Sequence, residues 1–332
     1  MEKHPEIKYG KTGVLIINLG TPDSTKWLDI RRYLKEFLSD RRVIEVNPII
    51  WQIILNLFIL NFRPSKTAKA YKEIWMKEEN ISPLLYYTKK QAEKLSKSFS
   101  NENLIIDFAM RYGNPSIKSK IKKLNEEGCE NLVILPLYPQ YAAATTATVC
   151  DEVYRTLMNM RWQPSLKIIP HYEADPLYID ALVNSINAKI ENINWKPDLI
   201  LASYHGIPKS YFDKGDPYHC YCHKTTRLVS EKFKSIEIKT TFQSRFGPQE
   251  WLQPYTDKTL ENLPKEGKKN VLVICPGFAS DCVETLEEIS IQGKESFIKS
   301  GGQNFDLVPC LNDNKDHINL LNNLINTHIV NK

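Results

Sequence analysis

The chain has 332 residues, more than one ordinary hydrophobic core usually holds, so its length predicts roughly two domains. Hydrophobic residues make up 42% and charged residues 25%, a soluble globular composition that excludes a largely disordered chain. The net charge of +5 comes from 44 basic and 39 acidic residues that are dispersed, with no concentrated basic face, so we expect no nucleic-acid partner.

The cysteines and the first residues indicate the compartment. Seven cysteines, an odd and scattered set, favour a reducing environment over a disulfide framework. The opening residues MEKHPEIKYGK place no apolar segment behind their charges, so they predict no export signal. We therefore expect a cytoplasmic protein.

The first predicted strand is GVLIINLG at residues 13–20, and it begins a pattern that recurs later in the chain. Three pairs of landmarks follow one another in the same order in both halves. They are the G-x-P-x-S segments at 20–24 and 206–210, the Arg-aromatic-Gly segments at 111–113 and 245–247, and the strands that end at Pro136 and Pro276. This repetition predicts that the two halves are copies of one unit.

Strands of about six residues alternate with helical stretches such as 115–127 and 176–190. This alternation is typical of right-handed βαβ units in a parallel sheet, so it predicts an α/β fold with two similar doubly wound domains. No G-x-G-x-x-G follows any predicted strand, so the usual dinucleotide fingerprint is missing. We expect the crevice between the domains to hold another kind of ligand.

The first half contains an insertion. Gly20 and Pro136 are 116 residues apart and Gly206 and Pro276 only 70, so the first half has 46 extra residues, which we place near 43–90. The most apolar run of the chain, IIWQIILNLFIL at 49–60, lies there and is called the apolar lip below. A membrane span needs about 20 apolar residues, so this segment is expected to lie on a membrane surface or to be a buried helix.

His205 comes just after the apolar run at 199–203, at the point where Gly206 and Pro208 stop the predicted strand. Loops after the carboxyl ends of parallel strands line the ligand crevice, so this imidazole is expected to face a site. The alternative is a histidine that is hydrogen-bonded within a turn.

Acidic residues follow the strand at 270–275. Asp281 is placed to cap a helix beginning near Cys282, and Glu284, Glu287 and Glu288 then lie on roughly one side. The structural alternative is a capping box between Asp281 and Glu284. The functional hypothesis is that these carboxylates enter the crevice that holds His205. An imidazole and a carboxylate can bind a divalent metal or transfer protons, and two ligands suit a metal that must be released.

Seven ordered segments now carry a family resemblance over nearly the whole chain. They are NLGTP, MRYGNP, LPLYPQYAAATTAT, SYHGIP, GDPY, GPQEWLQPYTDKT and GFASDCVETLEEI, and together they closely resemble ferrochelatases, above all Gram-negative bacterial forms that use protoporphyrin IX. The resemblance implies insertion of Fe(II) into protoporphyrin IX with release of two protons, the terminal step of heme biosynthesis. It also implies two Rossmann-like domains, which we place at 12–165, including the insertion, and at 166–330.

The same resemblance assigns site residues. His205 and Glu284 match the catalytic pair that contacts the metal or the inner pyrrole nitrogens. Asp281 and Glu288 match acidic residues of a proton or metal path. Five further positions match the porphyrin pocket: Arg63, Ser82, Arg111, Tyr112 and Trp251.

Alternatives and partners complete these expectations. Two alternatives remain open: a chelatase for another tetrapyrrole or metal, such as a coproporphyrin ferrochelatase or a cobaltochelatase, and a non-catalytic tetrapyrrole carrier.

Fe(II) is a substrate, and we expect no permanently bound cofactor. A [2Fe-2S] cluster is not expected, because the cysteine-rich tail of cluster-bearing relatives is missing and their upstream ligand position, in YAAAT, is alanine. The segment HCYCH at 219–223, expected in a loop, is a weak metal signal. Peripheral contact with the inner face of the cytoplasmic membrane is expected through 49–60.

Overall fold

A computed structural model describes residues 7–234 and 236–329 of the chain. Within them, eight strands form two four-stranded sheets. The strands are β1 Lys11–Thr21, β2 Leu104–Gly113, β3 Cys129–Pro136, β4 Ser165–Ile168, β5 Leu199–His205, β6 Ile238–Gln243, β7 Asn270–Ile274 and β8 Asn304–Leu307.

Helices connect these strands and cover both faces of the sheets. The α-helices are α1 Trp27–Leu38, α2 Pro48–Ile54, α3 Leu60–Ile74, α4 Pro83–Ser98, α5 Ile117–Glu126, α6 Thr148–Met158, α7 Pro176–Glu191, α8 Lys209–Asp213, α9 Tyr218–Ser230, α10 Thr256–Asn262, α11 Lys294–Lys299 and α12 Lys315–Ile329. Three segments have π-helical hydrogen bonding: π1 Leu55–Ile59, π2 Ala143–Ala147 and π3 Glu284–Gly293.

The two sheets have the same topology. Their strand orders are β2-β1-β3-β4 and β6-β5-β7-β8, and every described pairing is parallel. The predicted α/β fold with two similar Rossmann-like units is therefore confirmed. The limits at 165 and 166 stay a prediction: β4 crosses them and pairs with β3, and residue 330 lies outside the described residues.

Local details are also copied between the halves. The Met110 N–H donates to the carbonyl of Pro115 at 2.8 Å, and the Phe242 N–H donates to the carbonyl of Pro254 at 2.8 Å. The π-helical segments π2 and π3 follow β3 and β7, which hold equivalent places in the two sheets. The repeat seen in the sequence thus extends to single hydrogen bonds.

The glycine of each G-x-P-x-S segment lets the central strand approach the backbone of its neighbouring strand closely. Gly20 has a φ of +114°, and a Cβ there would lie 1.8 Å from the Tyr112 carbonyl oxygen. A Cβ on Gly206 would lie 2.9 Å from the Gln243 carbonyl oxygen. Glycine is thus needed at both strand ends, because any side chain would separate the central strand from its neighbour.

One apolar core connects the two halves. It includes Val14 and Ile16 of β1, Ile200 of β5, and Leu320 and Ile325 of α12. Smaller clusters cover the opposite faces of the two sheets. The inner faces of both sheets therefore belong to one continuous hydrophobic interior.

The apolar lip forms α2, π1 and the first residue of α3, and it combines both expected environments. Leu55 and Leu60 are fully buried against the first half, as a buried helix would be. The outer face is exposed, with Ile49 76%, Ile53 54% and Leu57 60% accessible. Among the described residues, every helix is too short or too polar to cross a bilayer.

Candidate active site

A cleft that holds about 960 Å³ of empty space, part of it open to solvent, lies where the central strands of both sheets end. The last part of β1 and the residues at the ends of or just after β3, β5 and β7 contribute to its walls, so it occupies the point where the strand order reverses in each sheet. Its lining is mostly apolar and aromatic and includes Leu19, Phe37, Val43, Tyr138, Ile207, Trp251 and Phe278.

His205 and Glu284 both line this cleft. His205 is the last residue of β5, and Glu284 is the first residue of π3, so each lies at the carboxyl end of a central strand or just beyond it. Both side chains are half-buried. The structure therefore brings together the two residues that the sequence analysis paired.

The hydrogen bond of His205 determines its neutral tautomer. Its Nδ1 lies 2.6 Å from the carbonyl oxygen of Gly206. A carbonyl oxygen only accepts, so Nδ1 must carry the proton and donate it. In the neutral ring the lone pair is then on Nε2, which makes Nε2 the atom that can take a proton or bind a metal.

Glu284 lies beside buried phenols and borders more than one cavity. Burial raises the pKa of Tyr33 and Tyr71, and the Glu284 carboxylate raises it further. Besides the main cleft, Glu284 lines a small cavity with Ser82 and an open pocket of about 1220 Å³ with Arg63 and Glu287. It therefore stands at the junction between the cleft and the outer surface near α3.

Gln243, the last residue of β6, connects the strands to π3. Its side-chain oxygen accepts from the Ser203 hydroxyl at 2.7 Å, and its Nε2 donates to the Glu284 carbonyl oxygen at 2.7 Å. The following residue, Ser244, donates to Glu288 through both its N–H and its hydroxyl. These bonds fix the first turn of the helix that carries Glu284.

Glu288 lies one turn beyond Glu284 and close to His205. Burial raises the pKa of its carboxyl, while the bonds from Ser244 and the His205 ring act in the opposite direction. Its side chain also borders a polar pocket of about 840 Å³ with Arg245 and Asp257. A carboxyl in this position can hold a proton between the cleft and solvent.

Asp281 lies outside the lining of the cleft, and its carboxylate is bound within the fold. Its oxygens accept from the Asn312 amide at 2.6 Å, the Thr285 hydroxyl at 3.1 Å and the Cys310 N–H at 3.3 Å. Its own N–H donates to Asn312, so the capping box with Glu284 does not form. The expected cap was wrong because Asn312, distant in sequence, occupies the place of the local partner.

Arg111 and Tyr112 also lie apart from the cleft lining. The Arg111 guanidinium donates to the Thr148 carbonyl at 2.7 Å and pairs with Asp40. The Tyr112 hydroxyl donates to the same Asp40 carboxylate at 3.0 Å. Both side chains therefore hold Asp40, just after α1, against β2, Arg111 also holds α6, and neither residue lines the cleft.

The other predicted pocket residues lie at or near the cleft. Trp251 lines it, and its indole N–H donates to the Phe246 carbonyl at 2.8 Å. Arg63 stacks over the Phe246 ring at 4.4 Å and borders the open pocket beside Glu284. The Ser82 hydroxyl accepts from the Leu85 N–H and so caps α4.

Sequence reasoning missed several residues of the cleft. Tyr138 follows β3 and has a buried hydroxyl without a hydrogen-bond partner among the described residues. Leu19 lies near the end of β1, and Phe278 follows β7. The rule that singled out His205, its place at a strand's carboxyl end, would also have found these three positions.

The HCYCH segment lies in α9 and not in a loop, so the expected loop was wrong. Successive helical residues point about 100° apart, and Cys220 is exposed while Cys222 is buried in the core. The two thiols therefore cannot face one metal ion. Within residues 7–234 and 236–329, no group of three or more His, Cys, Asp or Glu is arranged to hold a metal ion.

Comparison with known proteins adds an independent observation. The family model described as Ferrochelatase matches residues 11–329. Ferrochelatases of Allorhizobium ampelinum and Rhizobium meliloti are each 55% identical over 326 residues, covering 97% of this chain and 95% and 96% of theirs. That of Francisella tularensis subsp. novicida is 53% identical, covering 97% of both chains.

A solved structure supports the fold alone. SirB from Bacillus subtilis with Fe3+ superposes with a TM-score of 0.58 at 12% identity and covers 97% of both chains. The shared architecture extends over both sheets, while this level of identity carries no information on residue roles.

Proposed function

The chain belongs to the ferrochelatase family, and from this premise we propose that it inserts Fe(II) into protoporphyrin IX and releases two pyrrole protons to give protoheme. The observation that carries the proposal is the meeting of His205 and Glu284 in one mostly apolar cleft. The reaction is that of a metal chelatase in heme biosynthesis.

The cleft suits a porphyrin. This substrate is a flat apolar disc with carboxylates at one edge, so it requires apolar walls with aromatic faces. Tyr138, Trp251 and Phe278 supply such faces. A rigid cleft between two sheets can also hold the ring bent, with its nitrogen lone pairs out of plane.

His205 and Glu284 divide the chemistry. The free Nε2 of His205 accepts one pyrrole proton, and the Glu284 carboxylate stabilises the imidazolium. His205 then passes this proton to Glu288 and accepts the second pyrrole proton in the same way. Glu284 also offers Fe(II) a hard oxygen ligand at the junction with the outer pocket. Glu288 receives protons on the way to the polar pocket beside Arg245 and Asp257, in keeping with its raised pKa.

The remaining family-matched residues take supporting roles in this proposal. Trp251 contacts the porphyrin directly, and Arg63 and Ser82 act at the cavities adjoining Glu284. Asp281 positions the start of π3 through Asn312 and Thr285. Arg111 and Tyr112 act indirectly, through Asp40. No resident cofactor is part of this mechanism.

The apolar lip is proposed to touch the inner face of the cytoplasmic membrane. Val43 lines the cleft and accepts a hydrogen bond from the Tyr211 hydroxyl at 3.0 Å, and α2 begins shortly after it. The exposed isoleucines and leucine of the lip therefore begin only a few residues in sequence after Val43, which lines the cleft. A hydrophobic substrate dissolved in the bilayer would gain a short path into the protein.

An anaerobic Fe(II) assay tests the function. We expect His205→Ala to lower turnover with protoporphyrin IX by a factor of about 10² to 10⁴, the usual contribution of a positioned proton acceptor, with porphyrin affinity nearly unchanged. His171→Ala is the matched control, because His171 stacks on Tyr221 outside the cleft. Equal turnover of the His205→Ala variant and the wild type would contradict the mechanism.

The same assay separates the alternatives. The wild-type protein is given protoporphyrin or coproporphyrin with Fe(II), Zn(II) or Co(II), and we expect the highest rate with protoporphyrin and Fe(II). A preference for coproporphyrin or for cobalt would favour another chelatase. Tight porphyrin binding without any metal insertion would favour a carrier.

A further inference from the structure

The helix α9 presents two histidines that the proposed reaction does not use. His219 and His223 are four residues apart, so they share one face of the helix. Their ring centroids are 4.4 Å apart, and the ring planes meet at 48°. Neither residue lines the cleft.

This spacing is close to that of two imidazoles bound to one metal ion. With metal–nitrogen distances of about 2.1 Å, two ring centroids are roughly 4.6 Å apart in adjacent octahedral positions and about 5.3 Å apart in tetrahedral ones, so a small rotation of the side chains would admit an ion. Histidines at i and i+4 on a helix are also a known zinc-binding arrangement. In the part of the chain that the structure describes, neither ring forms a hydrogen bond, so its nitrogens are available.

The surroundings favour the form of histidine that binds metals. Burial lowers the pKa of His219 and of His223, which favours the neutral ring. His219 rests on Phe242 at 5.9 Å and on Phe212 at 5.1 Å, which hold its ring in place. His223 is exposed, so an ion can reach the pair from solvent.

The neighbouring cysteines are not part of this arrangement. Cys222 is fully buried, and burial raises the pKa of its thiol well above the ordinary value, so the metal-binding thiolate is disfavoured. Cys220 is exposed but lies about 100° around the helix from His219. Of these four side chains, only the imidazoles of His219 and His223 lie on the same face of α9.

We propose that His219 and His223 form a divalent metal-ion site on the surface of α9, separate from the cleft. Two imidazoles suit first-row ions such as Zn²⁺, Co²⁺, Ni²⁺ and Fe²⁺, with water in the remaining positions. Structural zinc has four protein ligands and catalytic zinc three, so binding here is reversible. The site stands independently of the chelatase reaction.

Zinc titration by calorimetry tests the site in the full-length protein. A background with both His205→Ala and Glu284→Gln removes the two proposed metal ligands of the cleft, and Zn²⁺ is the probe. We expect His219→Ala and His223→Ala each to lose one equivalent of zinc, and the double variant to lose no more, because both rings are required. His171→Ala and Cys220→Ser are the controls and keep that equivalent.

Thermal unfolding provides a second measurement. Zinc should raise the unfolding midpoint of the background protein and leave that of His223→Ala unchanged. His223 is exposed, so the single His223→Ala change in the otherwise wild-type protein is expected to fold and to retain metal insertion, which separates failure of the site from failure of the proposed function. Equal zinc binding by the background protein and its His223→Ala variant would overturn the proposal.

Discussion

At the scale of single residues, Gln243 shows how the fold positions the chemistry. Its amide bonds to Ser203 on β5 and to the Glu284 carbonyl at the start of π3, while the side chain itself is buried. It makes no contact with the cleft interior and acts through Glu284. We therefore regard Gln243 as a positioning residue.

Replacement of Gln243 by leucine should impair catalysis more than binding. The change keeps the size of the side chain but removes its bonds to Ser203 and π3, and a displacement of about 1 Å in a reacting group can reduce rate a hundredfold. We expect kcat for metal insertion to fall strongly and KM for porphyrin to change little. Gln292→Leu, at the exposed end of π3, is the control. A wild-type kcat in the Gln243→Leu variant would exclude the positioning role.

A second residue determines acid sensitivity. His317 is 1% exposed, and burial lowers its pKa to about 4, below the ordinary value of 6.5. Its Nδ1 donates to the Asn312 carbonyl at 2.6 Å. Since Asn312 also binds Asp281, this neutral imidazole supports the loop behind π3.

Stability should therefore fall as the pH falls from about 6.5 towards 4. In this window the unfolded chain binds a proton at His317 and the folded chain does not, so acid favours unfolding by up to about 3 kcal/mol. Urea unfolding at pH 7 and pH 4.5 should show a smaller loss for His317→Asn than for the wild type. His328→Asn on the same helix is the control, and an unchanged pH dependence in His317→Asn would contradict the assignment.

At the scale of elements, the segment from α2 to α3 has two unlike faces. Leu55 and Leu60 pack into the protein, whereas Ile49, Ile53 and Leu57 follow one another at helical spacing on the outside. Leu60 is thus a core residue, and serine there would damage folding. The outer three residues form the surface to test for membrane contact.

We expect the triple change of Ile49, Ile53 and Leu57 to serine to weaken liposome association at least tenfold. Partial burial of each apolar side chain in the interface contributes on the order of 1 kcal/mol, and all three contributions would be lost. Co-sedimentation with anionic vesicles measures the effect. Met158→Ser is the control, because Met158 is an exposed apolar residue on α6. Unchanged co-sedimentation would exclude this face as the contact.

At the scale of the whole molecule, the two similar halves of the chain pack extensively against each other. The helix α12 follows the second sheet but packs on α4, where Asn322 donates to the Ser98 hydroxyl at 3.1 Å. Gln91 of α4 in turn donates to the Asn312 carbonyl at 2.7 Å and to the Ala279 carbonyl. These contacts and the shared core predict that the halves unfold together.

Truncation of Ile325 tests this coupling. Ile325 is fully buried in the shared core, so Ile325→Ala should lower the free energy of unfolding by about 2–5 kcal/mol. Tryptophan fluorescence and far-UV circular dichroism should shift to lower urea concentration by the same amount. Asn323→Ala on the exposed side of α12 is the control. A shift in only one of two separate transitions would show that the halves unfold independently.

The sequence by itself determined the repeated α/β pattern and the pairing of His205 with Glu284. Both depend on local properties: apolar runs of strand length, glycine at strand ends, and the rule that parallel strands direct their carboxyl ends towards one crevice. The order of strands in the two sheets confirms this logic.

Only the tertiary structure decided which groups form hydrogen bonds or ion pairs with each side chain. Arg111 lies near the carboxyl end of β2, much as His205 ends β5, yet Arg111 pairs with Asp40 and donates to the Thr148 carbonyl, away from the cleft. Asn312 replaces Glu284 as the partner of Asp281, and α9 separates Cys220 from Cys222 while it aligns His219 with His223. A hydrogen bond depends on which groups meet in space, and those partners are distant in sequence.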